Sequence, residues 1–318
     1  LRLFLLKMSF NCFGLKKKPA VPIYKIVAIA GATGGVGEKI ATAILKSKLF
    51  EVKILVRAAS VTGEKKKQVD DLVKLGAKLV TFATESLEEA VKCLTGVEVV
   101  VSALSGTGLG YQPTLIQAAK TAGVKLFIPS DYGIDIYSPD TMAKIKGTMV
   151  EGFFAPKLAA IETLKKVGLD YTIVLNGFFT DTTFFDWIGF DALGSGKVLI
   201  AGDGKSKISF TSRDDVAKYI VEILKNADKY KNKIVKVSGD HKSYDEVVKT
   251  FEDSLGKKLE VTYKPLPDLK KEVAALPHPY ANIPLVLQLA LAWDICSVDF
   301  QNNNKEFAVK PITVKDFV

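Results

Sequence analysis

The segment Lys25-Ile-Val-Ala-Ile-Ala-Gly-Ala-Thr-Gly-Gly-Val-Gly37 constrains the fold of this chain more than any other. An apolar run feeds three glycines at three-residue spacing, Gly31, Gly34 and Gly37, and a helical pattern follows at once. Such a run reads as a buried strand delivering the backbone to a sharp turn at Gly31. Gly34 lets the main chain approach a pyrophosphate, and Gly37 lets the next helix pack close to the strand. The amino terminus of that helix then faces the phosphates, with Gly35 and Val36 offering backbone amides and Thr33 a further backbone contact. Glycine-rich strand-to-helix turns also occur for purely structural reasons, so the next strand carries weight.

Residues 51–57 (EVKILVR) read as a second buried strand ending in Arg57. An NAD-binding fold commonly places a carboxylate there to hold the ribose 2′-hydroxyl, whereas a guanidinium can grip a 2′-phosphate and stack on adenine. Only Arg2, Arg57 and Arg213 among the 44 basic residues are arginine, so a lysine-using chain carries a guanidinium at this position. The preferred cofactor is therefore NADPH/NADP, a surface arginine at a strand end being the bland alternative. Lys65, Lys66 and Lys67 follow, and Lys66 is taken as a second contact to the 2′-phosphate. A solvated charge run opening the next helix is the competing reading.

Apolar runs at 25–30, 51–57, 78–82, 97–103, 125–129 and 170–175 alternate with helical patterns at 36–46, 66–75, 87–94, 112–122 and 157–167. The alternation predicts an α/β fold, a doubly wound parallel Rossmann sheet, with a smaller C-terminal substrate-binding lobe. Right-handed crossovers would place the strand carboxyl ends, and hence the cofactor, along one edge. Beyond residue 179 the pattern loosens. It suggests a helical aromatic segment at 184–193, a hairpin around 202–204, a helix at 214–225, a sheet-extending strand at 233–237 and a buried or lid helix at 283–295. Three parts are expected: a flexible tail over 1–22, an NADP-binding domain over 23–180, and a mixed segment over 181–318 that completes the sheet and forms the lobe. Met8 is the candidate natural start within that tail, and an amphipathic presequence is its minor alternative.

Hydrophobic residues at 48% and charged residues at 25% fit a globular protein, and no apolar run is long enough to span a bilayer as a helix. A net charge of +9 raises the question of nucleic acid, but the lysines are scattered and no basic motif interleaved with aromatics occurs. Neither a nucleic-acid nor a membrane partner is expected. Cys12, Cys93 and Cys296 are too far apart for a disulfide framework, and with only His241 and His278 no metal site is expected. A cytoplasmic location fits such cysteine use.

Several blocks run in register with one family. GATGGVG, the LVR at 55–57, LTGVEVVVS at 94–102, QPTLIQAAKTAG at 112–123, FIPSDYG at 127–133, Lys157, GLDYT at 168–172, NGFF at 176–179 and the closing PITVKDF at 311–317 carry the likeness. Together they resemble the NmrA-like and isoflavone-reductase-like group of atypical short-chain dehydrogenases/reductases. The resemblance covers residues 25–215 and returns at the carboxyl end. It implies an NADPH-dependent reductase in which a lysine fifteen residues before the Thr of the Gly-x-x-Tyr-Thr block transfers a proton; Lys157 stands fifteen before Thr172. That lysine could instead hydrogen-bond the nicotinamide ribose, or be a surface residue on the first turn of a helix. Ser102, Ala103, Ser130 and Asn176 are candidate cofactor contacts beside the glycine turn. Tyr132, Phe153, Phe154, Phe178 and Phe179 are candidate walls for a small aromatic substrate, although most of the nearby aromatics, including Phe184, Phe185 and Trp187, should be core.

The tyrosine-plus-four-lysine dyad of ordinary short-chain dehydrogenases is absent: Tyr132, Tyr137 and Tyr219 are followed four residues later by Ile136, Thr141 and Ile223. Plant reductases of the family carry Glu and Phe where this chain has Asp131 and Tyr132, which adds a hydroxyl to the pocket. Arg213-Asp214-Asp215 resembles the family's helix-opening motif and reads as capping, through Asp214 or Ser212. The same resemblance implies an alternative, an NADP(H)-binding redox sensor that acts through a protein partner without turnover. Monomer and homodimer both remain open.

Overall fold

The computed structural model describes residues 22–82, 86–297 and 302–318. The expected tail, with Cys12 and Arg2, lies outside the described residues except for its last position. Thirteen strands are present among the described residues: β1 Ile26–Ala30, β2 Glu51–Val56, β3 Lys78–Thr81, β4 Val99–Ser102, β5 Leu126–Ile128, β6 Thr172–Leu175, β7 Phe178–Phe179, β8 Phe190–Asp191, β9 Lys197–Ala201, β10 Lys207–Thr211, β11 Lys233–Lys236, β12 Asp240–Ser243 and β13 Glu260–Lys264.

The first five form a parallel sheet in the order β3-β2-β1-β4-β5. A bridge between Phe127 and Tyr171, with the Phe127 amide donating to Asp170 O at 2.9 Å, carries the sheet on to β6. β11 then pairs parallel to β6, so residues far along the chain extend the sheet, as the 233–237 pattern suggests. β1 lies between β2 and β4, and chain order reverses there. The crevice at the carboxyl ends of these strands is the place where such sheets bind ligands.

The sheet forms because its strands are buried on both faces. Val27, Ala28, Ile29, Val99, Val100 and Val101 are all completely buried, each larger side chain contributing about 1.5–3 kcal/mol relative to exposure. On one face the helices Gly35–Ser47 and Arg213–Lys225 pack together against β1 and β2. On the other lie Gln112–Thr121 and Met149–Val167.

A second core gathers the chain beyond β6. Phe184, Phe190, Phe210 and Phe251 pack tilted and edge-to-face within it at ring-centroid separations of 5.1 to 5.3 Å, and the helices Tyr244–Leu255, Leu266–Ala274 and Ile283–Ala292 surround them. Phe184 is thus core, while Phe185 and Trp187 remain exposed.

Three readings of the sequence are corrected. Residues 184–193 are not one helix but a 3₁₀ turn at Asp186–Ile188 followed by β8, because Gly189 takes a left-handed φ of 87°. Residues 202–204 do not close a hairpin. β9 pairs parallel with β13 and antiparallel with β8, whereas β10 pairs antiparallel with β12 and parallel with β7, so the turn links two different sheets. The helix placed at 157–167 begins earlier, at Met149, and carries Pro156 in its interior.

Candidate active site

The glycine turn is built as its spacing demands. Gly31 has φ 84°, a conformation that L-side chains avoid, and a Cβ there would stand 2.5 Å from Ala103 O. A Cβ on Gly37 would stand 2.0 Å from Gly31 O, so glycine at this position allows the helix to sit against the turn. Gly34 is the N-cap of the helix Gly35–Ser47 and supplies no side-chain cap. The first-turn amides therefore face outward without an internal acceptor, the arrangement that binds anions.

Two clefts meet at this turn. The first is lined by Gly31, Thr33, Gly34, Arg57, Ser60, Lys65, Phe82, Ala103, Leu104, Ser105, Thr107 and Tyr111. Arg57 caps the carboxyl end of β2 with an exposed side chain. Lys65, not Lys66, reaches this wall, its Nζ donating to Thr33 O at 2.7 Å. Lys66 is the first residue of the helix Lys66–Lys74 and pairs instead with Asp70 at 2.6 Å on the exposed face. The second cleft runs from the other side of the turn, along Gly35, Val36, Ala103, Leu104, Ser105, Ser130, Tyr132, Phe153, Lys157, Phe179, Thr182, Arg213 and Leu287.

Beyond it lies a mostly apolar pocket formed by Tyr132, Gly133, Ile134, Phe153, Phe154, Lys157, Gly177, Phe178, Phe179, Thr182, Thr183, Trp187, Leu287 and Ala290. Tyr132, Phe153, Lys157, Phe179, Thr182 and Leu287 thus belong to the walls of both. Every expected aromatic wall residue is present. Asn176 and Ser102 are not wall residues of these cavities. Asn176 is wholly buried, its carbonyl accepting from Thr211 Oγ1 at 2.7 Å and its amide donating to Gly133 O at 3.1 Å. Ser102 closes β4, also wholly buried, and its Oγ has no hydrogen-bond partner among the described residues. Ser130 is on the wall, but its hydroxyl is committed to Leu104 O at 2.7 Å.

Lys157 is well inside the helix Met149–Val167, not on its first turn, and its side chain is 15% exposed. Nζ donates to Asp131 O at 2.6 Å, stands 3.9 Å from Asp131 Oδ1 and lies 5.8 Å from the centre of the Phe154 ring. Gly133 leaves room for it: a Cβ there would be 3.3 Å from Nζ. Burial disfavours the ammonium and lowers the Lys157 pKa, while the Asp131 charge opposes that shift without cancelling it. Asp131, 2% exposed, is pushed the other way by burial, with Lys157 and a hydrogen bond donated by Tyr137 Oη acting to lower it. Tyr137 is raised by burial and by the adjoining Asp131. Tyr132 Oη is buried with no partner among the described residues, and burial raises its pKa also.

The sequence reading missed several contributors. Asp131 registers there only as a departure from a family pattern, not as the partner of Lys157. Thr107 and Tyr111 come from a 3₁₀ segment, Gly106–Tyr111, that has no periodic signal, and Ser105 is its N-cap. Arg213 was read as part of a cap, and Ser212 is indeed the N-cap, accepting from the Asp215 amide at 3.0 Å. The Arg213 side chain, however, points to the second cleft.

A parallel sheet with an uncapped glycine turn at its chain-order reversal, opening onto an aromatic pocket, defines a Rossmann-type dinucleotide-fold protein with an adjoining small-molecule site. The NmrA-like family model matches residues 24–297, and the chain belongs to the NmrA-like family. It is 28% identical over 293 residues to isoflavone reductase homolog P3 of Arabidopsis thaliana, covering 90% of this chain and 89% of that protein. It is likewise 28% identical to phenylcoumaran benzylic ether reductase POP1 of Populus trichocarpa, covering 90% of each. Among solved structures, AtPrR2 with NADP+ and (+)pinoresinol superimposes with a TM-score of 0.78 at 27% identity, over 92% of this chain and 97% of that one. An isoflavone reductase structure, at 24% identity and a TM-score of 0.79 over 92% and 98%, shares the fold.

Proposed function

We propose that this protein is an NADPH-dependent reductase of a small aromatic substrate, with Lys157 as its proton-transfer group. The observation that carries the reading is the position of Lys157, a largely buried lysine on the shared wall of the glycine-turn cleft and the aromatic pocket. One relative named above is a phenylcoumaran benzylic ether reductase and another an isoflavone reductase homolog, and AtPrR2 was solved with NADP+.

The residues fit the cofactor. The pyrophosphate would lie against the amides of Gly35 and Val36, where a side chain at Gly31 or Gly37 would collide with the turn. Arg57 and Lys65 would hold the 2′-phosphate in the first cleft, which calls for cationic side chains and no carboxylate. When bound, NADPH supplies the hydride. Phe153, Phe154, Phe178 and Phe179 would hold a flat ring beside it, excluding water from the transfer.

Lys157 Nζ would then donate a proton to the oxygen on which charge develops, whether of a carbonyl, an enone, a quinone or a benzylic ether. Its depressed pKa makes it a better donor than an exposed lysine. Asp131 O holds Nζ in place.

The test combines binding and turnover. The wild type should bind NADPH more tightly than NADH, and Arg57→Ala should lose about tenfold to a hundredfold of NADPH affinity while NADH affinity stays. NADPH oxidation against a panel of aromatic enones, quinones and benzylic ethers should find a substrate. Tight NADPH binding with no turnover on any of them, and no effect of Lys157→Ala, would replace this reading with the sensor.

A further inference from the structure

Arginine is so scarce here that its placement is informative: three of 44 basic residues, with Arg2 outside the described residues. The other two flank the glycine turn from opposite sides, Arg57 on the first cleft and Arg213 on the second. Arg213 opens the helix Arg213–Lys225, which packs along Gly35–Ser47 and is tied to it by Lys39 Nζ and Asp214 at 3.1 Å. Asp181 holds Arg213 by two points: Oδ1 accepts from the Arg213 amide at 3.0 Å, and Oδ2 accepts from Nε.

That grip fixes the guanidinium and leaves both of its Nη atoms without a hydrogen-bond partner among the described residues. Nη1 lies so close to the first residue of the helix Gly35–Ser47 that a Cβ on Gly35 would stand 2.6 Å from it. Asp181 balances the guanidinium charge through Nε, but the Nη groups and the uncapped amides at the positive end of the helix line one cleft, where an anion can accept from both.

Resting on the dinucleotide reading above, we propose that Arg213 binds the pyrophosphate from the side opposite Arg57, with Asp181 as the residue that positions it. Each of the two phosphate sites of NADPH then has its own arginine. Arg57 reads the 2′-phosphate that separates NADPH from NADH, and Arg213 reads the pyrophosphate that they share.

Calorimetric titration of the full chain with NADPH, NADH and 2′-AMP tests this. Arg213→Gln should weaken NADPH and NADH by the same factor, about tenfold to a hundredfold, and leave 2′-AMP within about twofold of the wild type. Arg57→Ala should do the converse, weakening NADPH and 2′-AMP but not NADH. Arg213→Lys should recover only part of the loss, since an ammonium keeps the charge without the planar fork. Asp181→Asn should weaken both dinucleotides and spare 2′-AMP, which a general loss of fold would not do. Because Arg213→Gln strands the Asp181 carboxylate, the double variant with Asp181→Asn removes both charges and should bind as Arg213→Gln does. Unchanged dinucleotide affinity in Arg213→Gln, with the Arg57→Ala pattern intact, overturns the inference and leaves the reductase reading standing. A wild type that binds neither dinucleotide overturns both.

Discussion

The chemistry assigned to Lys157 has a pH signature. A proton donor works only while charged, and burial holds the Lys157 pKa below the ordinary lysine value of 10.5. Activity should therefore be full below that lowered value and fall as the pH rises through it. A pH profile of kcat/KM should show this alkaline limb before 10.5, and Lys157→Arg, which stays protonated, should lack it whatever activity remains. Lys157→Ala should lower kcat by about a hundredfold to ten-thousandfold with the protein still folded, measured as NADPH oxidation. At this scale the sequence was uneven. Lys157 stood out through the family resemblance, but Asp131 holds it through a backbone carbonyl, which no side-chain pattern reveals. Lys65 and Lys66 are chemically identical, and only the point where the helix Lys66–Lys74 starts turns one into the cleft and the other onto Asp70. Arg213 was legible by the argument that exposed Arg57, the scarcity of arginine, but its neighbours read as a cap and absorbed it.

Among elements, the strand-turn-helix unit at β1 is the least forgiving. Alanine at Gly37 must push its methyl against Gly31 O and Ala103 Cβ, which would lie 2.0 and 3.1 Å away. Gly37→Ala should cost about 3 kcal/mol in urea unfolding and weaken every dinucleotide alike, because the helix can no longer close on the turn. The main strands were readable because both faces are buried, leaving unbroken apolar runs. For the helix Met149–Val167 the local signal misleads: proline favours a helix's first turn, and Pro156 directly precedes the expected start at residue 157. Instead the helix runs through it, and residues 276–282 lie alongside, with Tyr280 Oη donating to Phe153 O at 3.0 Å and Pro279 Cγ 3.3 Å from where a Gly152 Cβ would be. The pairings of β9 and β10 were illegible for the opposite reason. Their partners, β13 and β12, are distant in sequence, and no turn signal specifies a non-local partner.

Across the whole molecule, two cores meet at one crevice. The β1–β6 sheet and its helices carry the glycine turn, while the aromatic core behind Phe184 supports Leu287 and Ala290 on the far wall of the pocket. None of the helices among the described residues is long and apolar enough to cross a membrane. The net charge of +9 should speed capture of an anionic cofactor, so the NADPH association rate from stopped-flow fluorescence should fall as ionic strength rises from about 10 mM to 0.3 M. A larger consequence follows from the wall that the second cleft and the aromatic pocket hold in common. Two ligands that lean on the same Phe153, Lys157 and Phe179 side chains are thermodynamically linked. If NADP+ tightens the hold on an aromatic compound by some factor, within the usual range of about 5 to 150, that compound must tighten the hold on NADP+ by the same factor. Product held in the pocket would then retain spent cofactor at equilibrium by that same factor.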